Sequence, residues 1–183
     1  MTYTSETYAK KVVPISIPSD RLKHPAEKAT DREVRNPRGL LGSLQRPATQ
    51  TAAALQCTVS MLHGQISNPT VATLQEANKA LRLSKNNADV GIHFRRLGEL
   101  SDLAFVCMAD ASWGTRGDGS SQGGYLVFLV DKDMLEGKEG PYILLGWRSA
   151  KLTGMSRSSL NSESQAAAMG VDSLGYVKTS WSS

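Results

Sequence analysis

Aromatic residues and cysteines are scarce in this sequence, and each shortage excludes a kind of architecture or site. Phe, Trp and Tyr make up 6% of the 183 residues, so a packed core has to consist mainly of Leu, Val, Ala and Met. The two cysteines, Cys57 and Cys107, are far apart and form no Cys-x-x-Cys pair, which favours neither a zinc site nor a disulfide framework. The three histidines are scattered, and no Ser-His-Asp or Cys-His arrangement for nucleophilic catalysis is visible.

Long apolar runs are also missing. The sequence contains no run of about eighteen apolar residues, so no membrane span is expected. Residues 1–11 are polar, so no secretory signal peptide is expected either. These absences predict an intracellular setting. The formal net charge of +4 and the isoelectric point near 9.1 are compatible with a nucleic acid partner, and equally with an ordinary protein that binds no polyanion.

The first half of the sequence predicts an extended arm followed by three helices. Residues 1–29 contain several prolines, which break any helical period and indicate an arm that is ordered only against a partner or another domain. Thr30-Asp31-Arg32-Glu33 has the form of a capping box. Pro47 is expected to end or kink the first helix. Asn68-Pro69 is typical of the start of the third. The apolar residues of the second and third helices repeat at helical spacing: Leu55, Val59, Leu62 and Ile66, then Val71, Leu74, Ala77 and Leu81.

The second half changes to the pattern of strands. Continuous apolar runs at residues 103–108, 123–130 and 142–147 predict three strands, and the absence of helices between them predicts antiparallel pairing. A helix is expected from Ser162, ending near Gly175. The predicted fold class is therefore α/β (α+β). The predicted domains are an arm at 1–29, a helical connection at 30–98 and a sheet unit at 99–183.

Two acidic residues stand out for their positions. Asp110 follows the first buried strand, where it either meets a cation or simply faces solvent and caps the next turn. Glu163 lies near the start of the last predicted helix, where an acid also favours the helix dipole. If the helix packs on the sheet, the two carboxylates could converge and bind Mg²⁺ or Mn²⁺ through oxygen. Two such ions would activate water for phosphodiester hydrolysis.

Several segments, taken in order, resemble the end of the reverse transcriptase and the ribonuclease H domain of a copia-type retrotransposon Pol polyprotein. Those that resemble the connection after the polymerase are RGLLGSLQ (38–45), ATQT (48–51), SNPT (67–70) and ALR (80–82). Those that resemble the nuclease are ADASW (109–113), GGYLVFL (123–129), GWRSAK (146–151) and SLNSESQ (159–165).

The resemblance implies an incomplete ribonuclease H-like fold, with Asp110 and Glu163 as catalytic metal ligands. The implied activity is Mg²⁺-dependent hydrolysis of RNA in an RNA–DNA hybrid, and the implied partners are that hybrid and the remainder of the reverse transcriptase polyprotein. The implied location is a cytoplasmic particle or the nucleus. The family carries a third catalytic Asp on a later strand, for which Asp172 is no substitute, since it lies about 13 Å along the same helix from Glu163.

Two functions therefore stay open: a nuclease domain and a non-catalytic remnant. The isolated chain is expected to be inactive because the third Asp is missing, and to act at most as a nucleic-acid-binding or connecting module. Three basic residues, Arg148, Lys151 and Arg157, could contact a nucleic acid backbone, or could equally form a solvated rim.

Overall fold

Residues 4–91 fold as one unit, and residues 1–3 join residues 92 onward in a second. The structure is a computed structural model, which describes residues 1–154 and 156–181. Within those ranges the chain is a mixed α/β protein with five α-helices and two antiparallel sheets. No described helix is both long enough and apolar enough to cross a membrane.

The helical unit contains four helices. Their bounds are Glu6–Lys11 (α1), Asp31–Gln50 (α2), Ala53–Gln65 (α3) and Val71–Asn86 (α4). Seven of the eight predicted stripe residues of α3 and α4 are buried: Leu55, Val59, Leu62, Val71, Leu74, Ala77 and Leu81. The eighth, Ile66, follows the last residue of α3 and is only partly buried. All of the buried stripe residues except Val71 belong to one hydrophobic cluster with Leu40, Leu41 and Leu44 of α2.

Capping boxes begin two of these helices. The predicted box at α2 is confirmed, since the Glu33 backbone N–H donates to Thr30 Oγ1 at 3.4 Å and the Thr30 N–H donates to Glu33 Oε2 at 2.7 Å. At α4 the capping residue is Thr70, which pairs in the same way with Thr73. The start predicted at Asn68-Pro69 was therefore too early, because Thr70 satisfies the free amide two residues later.

Two prolines lie inside α2 without ending it. The helix continues past Pro47 to Gln50, and the backbone N–H groups of Thr51 and Ala52 both donate to the Pro47 carbonyl, at 3.0 and 2.8 Å. Pro37 and Pro47 are both fully buried. A proline inside a helix costs about 3 kcal/mol, so the packing of this unit has to offset that penalty twice.

The predicted arm is ordered within the helical unit. The side chain of Ile15 is buried, and the Asn78 amide of α4 binds both backbone groups of Ile15, accepting from its N–H and donating to its carbonyl, each at 2.8 Å. Ala9 of α1 is also buried. Residues 4–29 of the predicted arm thus belong to the same unit as the helices, and this unit ends at Gly91.

The sheet unit consists of a small two-stranded sheet, a three-stranded sheet and one helix. The first pairs Thr2–Tyr3 (β1) with Ile92–His93 (β2). The second has the order β3-β4-β5 and is antiparallel, as predicted. The remaining bounds are Leu103–Ser112 (β3), Gln122–Asp131 (β4), Tyr142–Lys151 (β5) and Ser159–Trp181 (α5).

Helix α5 packs across β3 and β4, and glycines allow the close approach. A Cβ on Gly170 would lie 2.7 Å from Cys107 Sγ and 3.4 Å from Ala109 Cβ. A Cβ on Gly123 would lie 2.5 Å from Leu152 Cδ2 and 3.3 Å from Ala166 Cβ. Because side chains alternate along a strand, Cys107, Ala109 and Gly123 define a covered face beneath α5. Their neighbours along each strand project from the opposite side, which we call the reverse face.

Candidate functional site

Asp110 projects from the reverse face of the sheet. It follows Ala109, which faces α5, and it pairs with Gly124, so the pleat directs its side chain away from the helix. The carboxylate is exposed, and its Oδ1 accepts a hydrogen bond from the backbone N–H of Ala111 at 2.9 Å. Asp110 lies within β3, two residues before the strand ends at Ser112, and this hydrogen bond is made to the backbone of the strand itself.

Glu163 lies on α5, on the other side of the sheet. The helix begins at Ser159, three residues earlier than predicted, so Glu163 is its fifth residue rather than part of its first turn. The positions that face the sheet are Ser162, Ala166 and Gly170, which are buried, whereas Glu163 is exposed. The hydroxyl of Ser162 bonds to that of Ser121 at 3.1 Å, which fixes this part of α5 beside the turn that precedes β4.

The structure does not bring Asp110 and Glu163 together. The Asp110 carboxylate projects from the reverse face of the sheet, whereas Glu163 belongs to α5, which covers the opposite face. Mg²⁺ needs several oxygen ligands in a near-octahedral arrangement, and the described residues include no group of three or more acidic, His or Cys side chains that could hold a metal ion. As placed, the two acids do not fit one ion, and their role as metal ligands stays a prediction.

The three predicted nucleic-acid contacts are also dispersed. Arg148 pairs with Tyr125, whose Cβ faces α5, so Arg148 projects from the covered face of β5. Lys151 pairs with Gln122 and projects from the reverse face. Arg157 is exposed in the segment before α5. Alternation along β5 thus separates Arg148 from Lys151, and the three residues form no single basic patch on the sheet.

Sequence reasoning missed a polar cluster beside Asp110 on the reverse face. Lys151 Nζ bonds to Asp118 Oδ2 at 2.6 Å, and Gln122 Nε2 donates to Ser149 Oγ at 2.9 Å. The buried Arg116 guanidinium donates to Gln122 Oε1. Asp118 and Lys151 flank the β4–β5 hairpin, and this spacing was the signal that could have paired them.

The charge of Lys151 is compensated within this cluster. The hydrogen bond from Lys151, together with hydrogen bonds from Ser120, holds the pKa of Asp118 well below its usual range. Asp118 is therefore ionised at neutral pH and neutralises the one predicted nucleic-acid contact that lies on the reverse face. On the covered face, burial raises the pKa of the Cys107 thiol, so this cysteine is a packing residue rather than a nucleophile.

The excess positive charge lies in the helical unit. Residues 4–91 contain 12 Lys and Arg against 7 Asp and Glu, a formal net charge of +5. The remaining residues contain 9 Lys and Arg against 10 Asp and Glu, a net charge of −1. A polyanion would therefore be attracted to the helical unit rather than to the unit that resembles a nuclease.

Comparison with known proteins gives no family for the chain. No family model, no curated protein and no solved structure matches it.

Proposed function

We propose that the chain is a ribonuclease H-like module of the copia-type retrotransposon Pol lineage that binds RNA–DNA hybrids without cleaving them. The observation that carries this proposal is the order of elements in the sheet unit. Three antiparallel strands are followed by a helix that returns across the first two. The segments that resemble the nuclease fall in order at the end of β3, in β4, in β5 and at the start of α5.

The placement of the acids supports the non-catalytic form of the proposal. Two-metal hydrolysis requires ligands that converge on ions a few ångströms apart, and Asp110 leaves the sheet on the face opposite α5, which carries Glu163. The proposal therefore includes no metal-dependent step. Hybrid binding is supported by the net charge of +5 on residues 4–91, because neutralised phosphates release counterions and so drive association.

Two assays on one preparation test both halves of the proposal. A fluorescently labelled RNA–DNA hybrid is titrated with the protein at several salt concentrations, and the same hybrid is incubated with the protein in Mg²⁺ and in Mn²⁺. We expect binding that weakens steeply with salt, and no cleavage above the level of buffer. Asp110→Asn and Glu163→Gln serve as matched controls, since any cleavage that survives both changes comes from a contaminant.

Each half can fail separately. Cleavage by the wild-type chain that disappears in both variants would show a working nuclease, and would replace the non-catalytic proposal with the catalytic one. An absence of hybrid binding at low salt would overturn the binding half. Binding that does not depend on salt would also contradict it, because phosphate contacts made by Lys and Arg are salt-dependent.

A further inference from the structure

Helix α2 carries an exposed face that consists of arginines and glycines. At 3.6 residues per turn, Arg35, Arg38, Gly39, Gly42 and Arg46 lie within an arc of about 100°. All five are exposed. The buried positions of α2, such as Leu40, Leu41 and Leu44, lie on its other side. We call these five residues the arginine face.

One acid, Asp31, lies on the same side of α2 as the arginine face, one turn before Arg35. The acids of α2 are confined to its first turn, where Asp31 and Glu33 are found, and no Asp or Glu occurs from residue 34 to residue 50. Glu33 is already engaged, since Arg21 Nη2 donates to its Oε2 at 2.9 Å. Within the described residues, neither Arg35 nor Arg38 forms an ion pair. In the part of the chain that the structure describes, these two exposed guanidinium groups thus form no ion pair with an acid.

The third arginine is held in position by its neighbours. Its guanidinium lies 5.0 Å from the centre of the Tyr8 ring, and Arg46 Nε donates to Gln50 Oε1 at 3.3 Å. Arg35 and Arg46 are about 16 Å apart along the helix axis at 1.5 Å per residue. The face is therefore long enough to contact more than one phosphate of a nucleic acid strand.

The glycines leave room for a backbone to approach the helix. A Cβ built on Gly39 or Gly42 would meet nothing within 4 Å, so neither glycine is needed for packing inside the unit. Glycine in a helix interior is unfavourable by roughly 0.5–1 kcal/mol relative to alanine. Two such residues between arginines, with no packing reason for either, indicate a surface shaped for close contact with an extended polyanion.

We infer that the arginine face of α2 binds the phosphodiester backbone of the RNA–DNA hybrid, which makes the helical unit, not the sheet unit, the main contact. The inference rests on the proposed function and adds where the hybrid is held. Arginine is suited to this role because its planar guanidinium donates to two phosphate oxygens at once. Contacts to phosphates alone read no bases, so binding is expected to be independent of sequence.

The experiment compares two pairs of full-length variants in the hybrid titration. Arg35→Gln with Arg38→Gln removes two charges from the arginine face. Lys10→Gln with Lys79→Gln removes two charges elsewhere, from lysines that pair with acids within their own helices. Both double variants lower the net charge by the same amount. A difference between their affinities for the hybrid therefore reports where the charges lie and not how many there are.

A second pair guards against misfolding. Gly42→Glu places an acid in the centre of the face, and Gly42→Gln is its uncharged match. Open space at this position allows both side chains, and both are better helix formers than glycine. Circular dichroism at 222 nm confirms that each variant keeps its helices.

We expect Arg35→Gln with Arg38→Gln to weaken hybrid binding by about tenfold or more at 100 mM salt, and to reduce the slope of log Kd against log salt by about 1.8, at ~0.9 for each lost phosphate contact. Gly42→Glu should weaken binding more than Gly42→Gln, because both side chains fill the space left by the glycine and only Glu adds a negative charge. The lysine pair should bind within about twofold of the wild type. If the wild type binds and the arginine pair binds equally well, the location is wrong while the proposed function stands. If the wild type binds anionic phospholipid vesicles but no hybrid, both are overturned.

Discussion

The contact between α5 and β3 gives the sharpest test of the sheet unit. A Cβ added at Gly170 would lie 2.7 Å from Cys107 Sγ, a distance that real Cβ atoms almost never show, whereas its distances to Ala109 Cβ and Tyr125 Cβ are ordinary. Overpacking of this kind costs about 1–3 kcal/mol. Gly170→Ala also gains about 1 kcal/mol of helix propensity, so the comparison needs a glycine of the same helix that lacks the clash.

Gly175 supplies that comparison, because a Cβ there would meet nothing within 4 Å. Gly175→Ala should stabilise the sheet unit by roughly 0.5–1 kcal/mol, and Gly170→Ala should be about 1–3 kcal/mol less stable than Gly175→Ala. Unfolding in urea can be followed by tryptophan fluorescence, which reports this unit selectively. All three tryptophans belong to it: Trp113, Trp147 and Trp181.

Removing the sulfur should rescue the clash. When Cys107 is replaced by Ala, the close contact of a Cβ at position 170 with Cys107 Sγ is removed. Gly170→Ala should then change the free energy of unfolding by the same amount as Gly175→Ala. A double-mutant cycle would give a coupling free energy of about 1–3 kcal/mol. If Gly170→Ala is as stabilising as Gly175→Ala with Cys107 present, the packing of α5 on β3 described above is incorrect.

The helical unit offers two further tests. Hydrogen bonds from the Thr30 backbone N–H, the Thr30 hydroxyl and Arg21 lower the pKa of Glu33. The ionised Glu33 carboxylate therefore stabilises the folded state. This contribution is fully present above the unfolded pKa near 4.3 and is lost as the pH falls through the lower folded pKa. Glu33→Gln should therefore cost about 1 kcal/mol at pH 7 and progressively less as the pH is lowered below about 4, measured by urea unfolding at 222 nm. A loss that does not change with pH would exclude this origin. Asn78→Ala removes both hydrogen bonds to Ile15 and should destabilise the unit by about 2 kcal/mol and speed proteolysis near residue 15, whereas unchanged proteolysis would show that burial alone holds the arm.

Local signals in the sequence predicted most of the elements. The capping box at Thr30 and Glu33 and the apolar stripes of α3 and α4 act within a few residues, and they were confirmed. Element ends were less predictable because they depend on neighbours. Residues Asp110 to Ser112 continue β3 because β4 offers Gly124, Gly123 and Gln122 as partners. In the same way α5 runs past Gly175 to Trp181, whose ring contacts Phe105 of β3.

The predicted site of Asp110 and Glu163 required Asp110 to lie on the face of β3 that α5 covers, and the sequence does not determine which face that is. Residues 103–109 are apolar or nearly so throughout, so their pattern does not reveal which alternate positions face α5. A shift of one residue exchanges the faces of a strand. In the structure Cys107 and Ala109 face Gly170 of α5. Because side chains alternate along β3, Asp110 therefore projects from the reverse face. A contact of this kind lies between distant residues, and one sequence does not display it.

The pairing of Tyr3 with Ile92 makes the helical unit an insertion. The chain leaves the sheet unit after Tyr3 and returns at Ile92, at two positions that are already joined as antiparallel neighbours. A two-residue Asn-Gly linker in place of residues 4–91 would close these ends as an ordinary type I′ hairpin. The helical unit therefore enters and leaves at one point of the small sheet, where a single reverse turn could replace it.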